Sequence, residues 1–252
     1  MGGGETERAS APAIACDGVR FCWPRPSRFA IAVDRFEVAR GERLLLLGPS
    51  GGGKSTLLSL VAGIVAPQQG RIAVVGEDIA RLSGPARDRF RAEHIGIVFQ
   101  MFNLLPYGSA LDNVLLPLAF SPARRARAGT GAAARAEAVG LLARLGLDEA
   151  AIAAPRAASL SVGQQQRIAV ARALVGGPDI IIADEPTSAL DRAHQGRFLD
   201  LLFDTLGETK ATLVMVSHDE SLTARFSRVV ALSDIARAEN GSGRLSGAGA
   251  QA

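Results

Sequence analysis

The chain has 252 residues, 48% hydrophobic and 21% charged, which suffices to bury a substantial core in one large or two small domains. No run approaches the roughly 18 apolar residues of a membrane-spanning helix. The start MGGGETERAS lacks the basic-then-apolar pattern of a secretion signal, so the chain is expected neither to span a membrane nor to be secreted. The net charge is +3, and all but two of the 28 basic residues are arginines scattered among 25 acids, so no nucleic-acid partner is expected.

Partial alternation of apolar and polar residues over 14–21 and 29–38 predicts two half-buried strands forming an antiparallel flap. Cys16 and Cys22, both in or beside the first strand, have no companion cluster of Cys or His, which excludes a disulfide framework and a zinc site. The apolar run 44–47 leads into GPSGGGKST, after which Leu57, Leu58, Leu60 and Val61 recur at helical spacing: strand, glycine loop, helix. Further strands are expected at 71–75, 95–99, 179–183 and 212–217, with helical patterns between them. Apolar strands alternating with helices predict an α/β fold with a mainly parallel sheet covered on both faces. Between 101 and 160 strand signals vanish and helices are expected at 109–119 and 132–145, an inserted α-helical subdomain spanning about 101–165. The stretch 121–136, with four arginines, reads as a mobile solvated loop leading into a helix. Residues 236–252, rich in Gly, Ser and Ala, read as a disordered tail that leaves 1–235 as a single domain.

Gly48, Gly53, Lys54 and Ser55 spell G-x-x-x-x-G-K-S between a predicted strand and a predicted helix, the setting a phosphate-binding loop requires. At this composition about 0.002 such matches are expected by chance. Across Gly48, Pro49, Ser50, Gly51, Gly52, Gly53, Lys54, Ser55 and Thr56, the glycines let backbone N–H groups converge on phosphate oxygens, and the helix adds its positive end. Lys54 supplies a point charge and Ser55 a hydroxyl for Mg²⁺. The strand ending at Ala183 delivers Asp184 and Glu185 beside this loop if the sheet is parallel. Asp184 can hold the Mg²⁺, and Glu185 can accept a proton from an attacking water. Ser161 is placed to cap the helix that runs through Ile168, Ala171 and Leu174.

With Asp184-Glu185-Pro186-Thr187 and LSVGQQQR at 160–167, the chain resembles the nucleotide-binding subunit of an ABC transporter over nearly its whole length. The resemblance implies a P-loop NTPase fold, ATP and Mg²⁺ as cofactors, and a homodimer sandwiching two ATPs. It implies that Gln100 touches Mg²⁺ or the lytic water, and that His218 contacts the γ-phosphate. Ser161, Gly163 and Gln164 of the signature would close over ATP held by the other subunit. Ser188, Ala189, Leu190 and Asp191 would cross the dimer interface. Two positions depart from the family pattern: Val162 stands where a second glycine is usual, and Trp23 stands where a tyrosine usually stacks on adenine, with Phe21 as the competing stacking residue. Tryptophan offers a larger face, and base stacking contributes about 1 to 3 kcal/mol.

The stretch 100–118 and the triple glutamine are similar to the ATPases of lipoprotein-releasing and macrolide-efflux exporters. That similarity implies an integral-membrane permease partner with few transmembrane helices and a large outer domain. It also implies a cytoplasmic, peripheral location on the inner face of the cell membrane. The same engine runs division-type complexes that transmit force and soluble non-transport machines. One cassette without a long heptad run disfavours the soluble machines but leaves transport and force transmission both open.

Overall fold

The structure is a computed structural model that describes residues 11–24, 29–188 and 192–240. Its first elements are β1 (Ile14–Cys22), β2 (Phe29–Val38), β3 (Arg43–Leu47), α1 (Lys54–Val61), β4 (Gln69–Val74) and β5 (Glu77–Asp78). Next come α2 (Gly84–His94), β6 (Ile95–Val98), α3 (Ala110–Phe120), α4 (Pro122–Ala128), α5 (Ala132–Arg144), α6 (Glu149–Ala153) and α7 (Val162–Leu174). The chain continues through β7 (Ile180–Asp184), α8 (Arg192–Thr209), β8 (Thr212–Ser217), β9 (Arg228–Ala231), α9 (Leu232–Ile235) and β10 (Ala236–Asn240). No described helix is long and apolar enough to cross a membrane.

The strands form two sheets, an antiparallel one in the order β10-β2-β1-β4-β5 and one in the order β6-β7-β8-β3-β9 whose pairs are all parallel. The expected flap is present: Ile14 lies opposite Val38, and Val19 opposite Val33. In the parallel sheet the apolar runs are buried on both faces, and the two-residue period of a strand divides them between two cores. Leu45, Ile181 and Met215 pack with helices α3, α5, α7 and α8. Leu44, Leu46, Ile180, Ile182, Val214 and Val216 face the other way, against the antiparallel sheet and α1.

Two expectations need correction. The stretch 121–136 is not a solvated loop: Ser121 caps α4, and Arg124 is buried at 2% exposure. Arg124 donates to the carbonyls of Ala173 and Val175, each at 2.8 Å, and Arg127 donates to that of Gly176 at 2.7 Å. The last carbonyls of a helix have no partner within it, and here two arginines supply donors at the end of α7 and to the two residues just past it. Burial pushes the Arg124 guanidinium down to about 10. The second correction concerns the tail. Residues 236–240 form β10, which pairs antiparallel with β2, Ala236 opposite Val33 and Asn240 opposite Phe29. Residues 241–252 lie outside the described residues.

At Gly96 the parallel sheet packs tightly against the helical layer. A Cβ there would lie 2.2 Å from the Ala173 carbonyl oxygen and 2.7 Å from Ile181 Cδ1. Gly96→Ala is therefore expected to lower stability by about 1 to 3 kcal/mol, at about 2 to 4 °C of Tm for each kcal/mol. Gly140→Ala, inside α5 with nothing within 4 Å, is the contrasting case. It is expected to raise stability by about 0.5 to 1 kcal/mol, and thermal unfolding of the two variants checks both.

Candidate functional site

The carboxyl ends of β3, β6, β7 and β8 reach the same side of the sheet, and the site is built where they stop. After β3 the loop 48–53 turns into α1, with Gly51 at φ 77° and Gly53 at φ 103°. A side chain at Gly53 is excluded twice, by the left-handed backbone and by the Phe29 ring 2.9 Å from a Cβ placed there. Gly53 precedes α1 without any side-chain cap, so no side chain competes for the first N–H groups of that helix. Within the loop, the Gly52 N–H donates to the Pro49 carbonyl at 3.1 Å.

Lys54 is 5% exposed. Its ammonium donates to the carbonyls of Gly48 at 2.6 Å and Pro49 at 3.1 Å, and lies 3.4 Å from Glu185 Oε1. The Ser55 hydroxyl donates to Asp184 Oδ2 at 2.8 Å, joining the loop to the end of β7. A cleft of about 500 Å³ brings together Trp23, Ser50, Gly51, Gly53, Lys54, Ser55, Thr56, Gln100, Asp184 and Glu185. Trp23 is held by its indole N–H, which donates to the Thr56 hydroxyl at 3.1 Å. Phe21, at 4% exposure, is in the core and meets Trp23 edge-on at 5.1 Å, so of these two rings it is Trp23 that faces the cleft, alongside Phe29.

Glu185 adopts φ 46°, a conformation that costs a non-glycine residue about 1 to 3 kcal/mol and concentrates at functional sites. Its N–H donates to the Val216 carbonyl at 3.0 Å, anchoring the turn to β8. Its carboxylate lies between two cationic or hydrogen-bonding groups, with Lys54 on one side and His218 Nδ1 at 3.1 Å from Oε2 on the other. His218 is itself 57% exposed at the end of β8. Burial raises the Asp184 carboxyl above its ordinary pKa of 3.8, against the Ser55 hydrogen bond that lowers it and with the Glu185 charge reinforcing the rise. A divalent cation would relieve that cost. Among the described residues no three His, Cys, Asp or Glu side chains converge. The donors present, a hydroxyl, one carboxylate and the Gln100 amide, are hard oxygens suited to Mg²⁺ that completes its octahedron with phosphate and water. The site therefore fits a magnesium-bound nucleoside triphosphate.

The structure does not bring Ser161, Gly163 and Gln164 into this cleft. They open α7 as a reciprocal cap: the Gln164 N–H donates to Ser161 Oγ at 3.3 Å, and the Ser161 N–H to Gln164 Oε1 at 2.9 Å. Val162 beside them is 51% exposed. Asp191, with Ala189 and Leu190, lies outside the described residues, as does the His194 side chain. His94, away from the cleft, is hydrogen-bonded to Asp179 through Nδ1 at 2.7 Å.

Three polar residues the sequence reading missed serve the site indirectly. Gln195, 8% exposed, donates to the Thr187 hydroxyl at 3.1 Å and to Asp219 Oδ2 at 3.2 Å, bracing the segments that carry Glu185 and His218. Gln166, 1% exposed, donates to the Pro186 carbonyl and so ties α7 to the residue after Glu185. Arg172 donates to the carbonyls of Phe102 and Asn103, next to Gln100. Only Gln166 leaves a trace in the sequence, as a polar residue on the inward stripe shared by Ala169, Val170 and Ala173.

The family model described as ABC transporter matches residues 33–188. The chain is 44% identical over 197 residues to the lipoprotein-releasing system ATP-binding protein LolD 1 of Caulobacter vibrioides, covering 78% of this chain and 81% of that protein. It is 39% identical to the macrolide export ATP-binding/permease protein MacB of Rhodopseudomonas palustris over 88% of this chain, and it spans 33% of that longer protein's length. A dimeric ATP-binding cassette solved in a post-hydrolysis state with ADP and Pi superposes with a TM-score of 0.76 at 32% identity, over 92% of this chain and 100% of that one.

The raised Asp184 pKa has a defined sign for stability. The folded state keeps the proton to higher pH than the unfolded chain, so this group's contribution is full at acid pH and is lost as pH rises through the raised value. Asp184→Asn is accordingly expected to raise the melting temperature at neutral pH with a chelator present and to change it little below 3.8, the ordinary value. A thermal scan against pH that finds no gain at neutrality contradicts the burial argument.

Proposed function

The chain belongs to the ABC transporter family as an ATP-binding and ATP-hydrolysing subunit, and from that premise we propose that it drives a separate membrane permease of the export or lipoprotein-release type. The observation that carries the reading is the joining of the glycine loop to the Asp184-Glu185 turn through Ser55–Asp184 at 2.8 Å and Lys54–Glu185 at 3.4 Å. In this reading the loop 48–56 holds the phosphates, and Lys54 exchanges its loop carbonyls for β- and γ-phosphate oxygens. Ser55, Asp184 and Gln100 hold Mg²⁺, which neutralises phosphate charge. Glu185 takes a proton from the attacking water, His218 contacts the γ-phosphate, and Trp23 stacks on the adenine.

Ser161, Gly163 and Gln164 stand outside their own cleft at the start of a helix, which supports a second copy of the chain as the partner that uses them. The permease side is supported by the surface after Gln100. Met101 is 81% exposed and Tyr107 74%, and Phe99, just before Gln100, lines a groove of about 630 Å³ with Pro117, Phe120 and the arginines 89 and 91. A permease with few transmembrane helices and a large outer domain is the partner, and it would hold the chain at the cytoplasmic face of the cell membrane.

Glu185→Gln is expected to cut steady-state ATP turnover by about 100-fold or more, because it removes the general base. ATP binding should persist and dimers should accumulate, read by gel filtration with ATP. Wild-type turnover would remove Glu185 from that role. Trp23 is the sole tryptophan, so its fluorescence is expected to shift when ATP is added and to stay constant in a Lys54→Ala protein that cannot hold the phosphates.

A further inference from the structure

The residues that follow Gln100 fold against their own backbone preference. Phe102 and Asn103 both lie in the left-handed region, at φ 58° and 49°. Neither is glycine, and two such residues in succession persist only where the surroundings hold them. Inside the turn, the Phe102 N–H donates to the Phe99 carbonyl at 3.0 Å and the Asn103 N–H to that of Met101 at 2.6 Å. The outward carbonyls of Phe102 and Asn103 are taken by one side chain, Arg172, which reaches Asn103 at 2.7 Å and bonds Phe102 as well.

The two donating arms of the Arg172 guanidinium suit it to this task. Burial lowers its pKa, and among the described residues no carboxylate is paired with it, so its charge is met by two carbonyl dipoles. It is carried by α7, whose first residues are the Ser161 cap and whose Gln166 grips the Pro186 carbonyl. The helix itself is seated by Ile168, Ala169, Ala173 and Leu174, all buried, and does not need the guanidinium to stay in place. Arg172 also stands on the wall of the groove beside Phe99, so whatever enters that groove meets it.

We infer that Arg172 is a positioning residue for Gln100: by fixing the Phe102–Asn103 turn it sets where the Gln100 amide stands in the nucleotide cleft, and it makes that position follow the orientation of α7. This rests on the reading of Gln100 as a group that touches Mg²⁺ or the attacking water.

The test is a cycle of Arg172→Met, Gln100→Ala and the double variant in the full chain, since methionine keeps the apolar stem and removes the donors. Arg172→Met is expected to lose about 10- to 100-fold in kcat, the scale of a mispositioned catalytic group. It should also require more Mg²⁺ for half-maximal rate, while ATP affinity by titration calorimetry is unchanged. The double variant should be no slower than Gln100→Ala alone, because both changes act through one group. Adding Asn103→Gly to Arg172→Met should return part of the lost rate, since glycine takes that φ without strain. If Arg172→Met does not fold, Arg172→Lys, with one compact ammonium in place of the forked guanidinium, is carried through the same cycle. Multiplying losses in the double variant, or wild-type kcat in Arg172→Met, overturn the proposal and leave Gln100 standing. Wild-type turnover in Gln100→Ala removes the Gln100 reading and this inference together.

Discussion

The hydrogen bond from the Ser55 hydroxyl to the Asp184 carboxylate joins residues 129 positions apart, and it exists only because three parallel strands end level with one another. Leu47 is in register with Ser217, and Asp184 with Val216. β8 therefore separates the strand that launches the glycine loop from the strand that delivers the two acids. A slip of one residue in either pairing would turn every side chain to the opposite face and exchange the two cores, whose members alternate along each strand. Burial on both faces thus fixes the register, and the register fixes the chemistry. Gln100, Glu185 and His218 lie one or two residues past strand ends in the same sheet and inherit their proximity from it.

Inside the cleft, the charges are arranged so that no group is idle. Lys54 is almost wholly buried, and a buried ammonium is tolerated only with its donors occupied. Two loop carbonyls and the Glu185 carboxylate occupy them. Asp184 is the group whose ionisation the fold disfavours, and it sits against the hydroxyl with which it would share a cation. One acid is paired with a cation from the protein and its neighbour is left needing one from outside. Adjacent carboxylates on one strand end thereby acquire different tasks from their surroundings.

The phosphate loop, the acid pair and the parallel sheet were legible in the sequence because each is written in contiguous residues: GPSGGGKS, IIIADE and unbroken apolar runs. What was illegible is joined through backbone carbonyls, which every residue offers alike. Arg124 and Arg127 read as a solvated charge cluster because arginine usually is one, and nothing in the sequence marks the carbonyls at the end of α7 that consume their donors. Gln195 and Arg172 escaped for a related reason, each being one polar residue on a helix that carries several. The strand at 236–240 has a polar, weakly alternating sequence that carries little strand signal, although it pairs with β2. Trp23 and Phe21 both fit a strand end in sequence, and only burial separates the core ring of Phe21 from that of Trp23 in the cleft.

β10 has a consequence for where the chain can be shortened. It covers the outer side of β2, with Arg237 also pairing with Asp34 across the join. A chain ending at Ile235 would leave Phe29–Val33, the half of β2 that β10 covers, as an open edge with unpaired N–H and C=O groups, next to the strand that leads to Trp23. Open edges template pairing with other molecules. The five residues of β10 therefore act as a stopper against strand-to-strand association, and a shortened protein that oligomerised would be reporting its exposed edge rather than its ATP-dependent partnership.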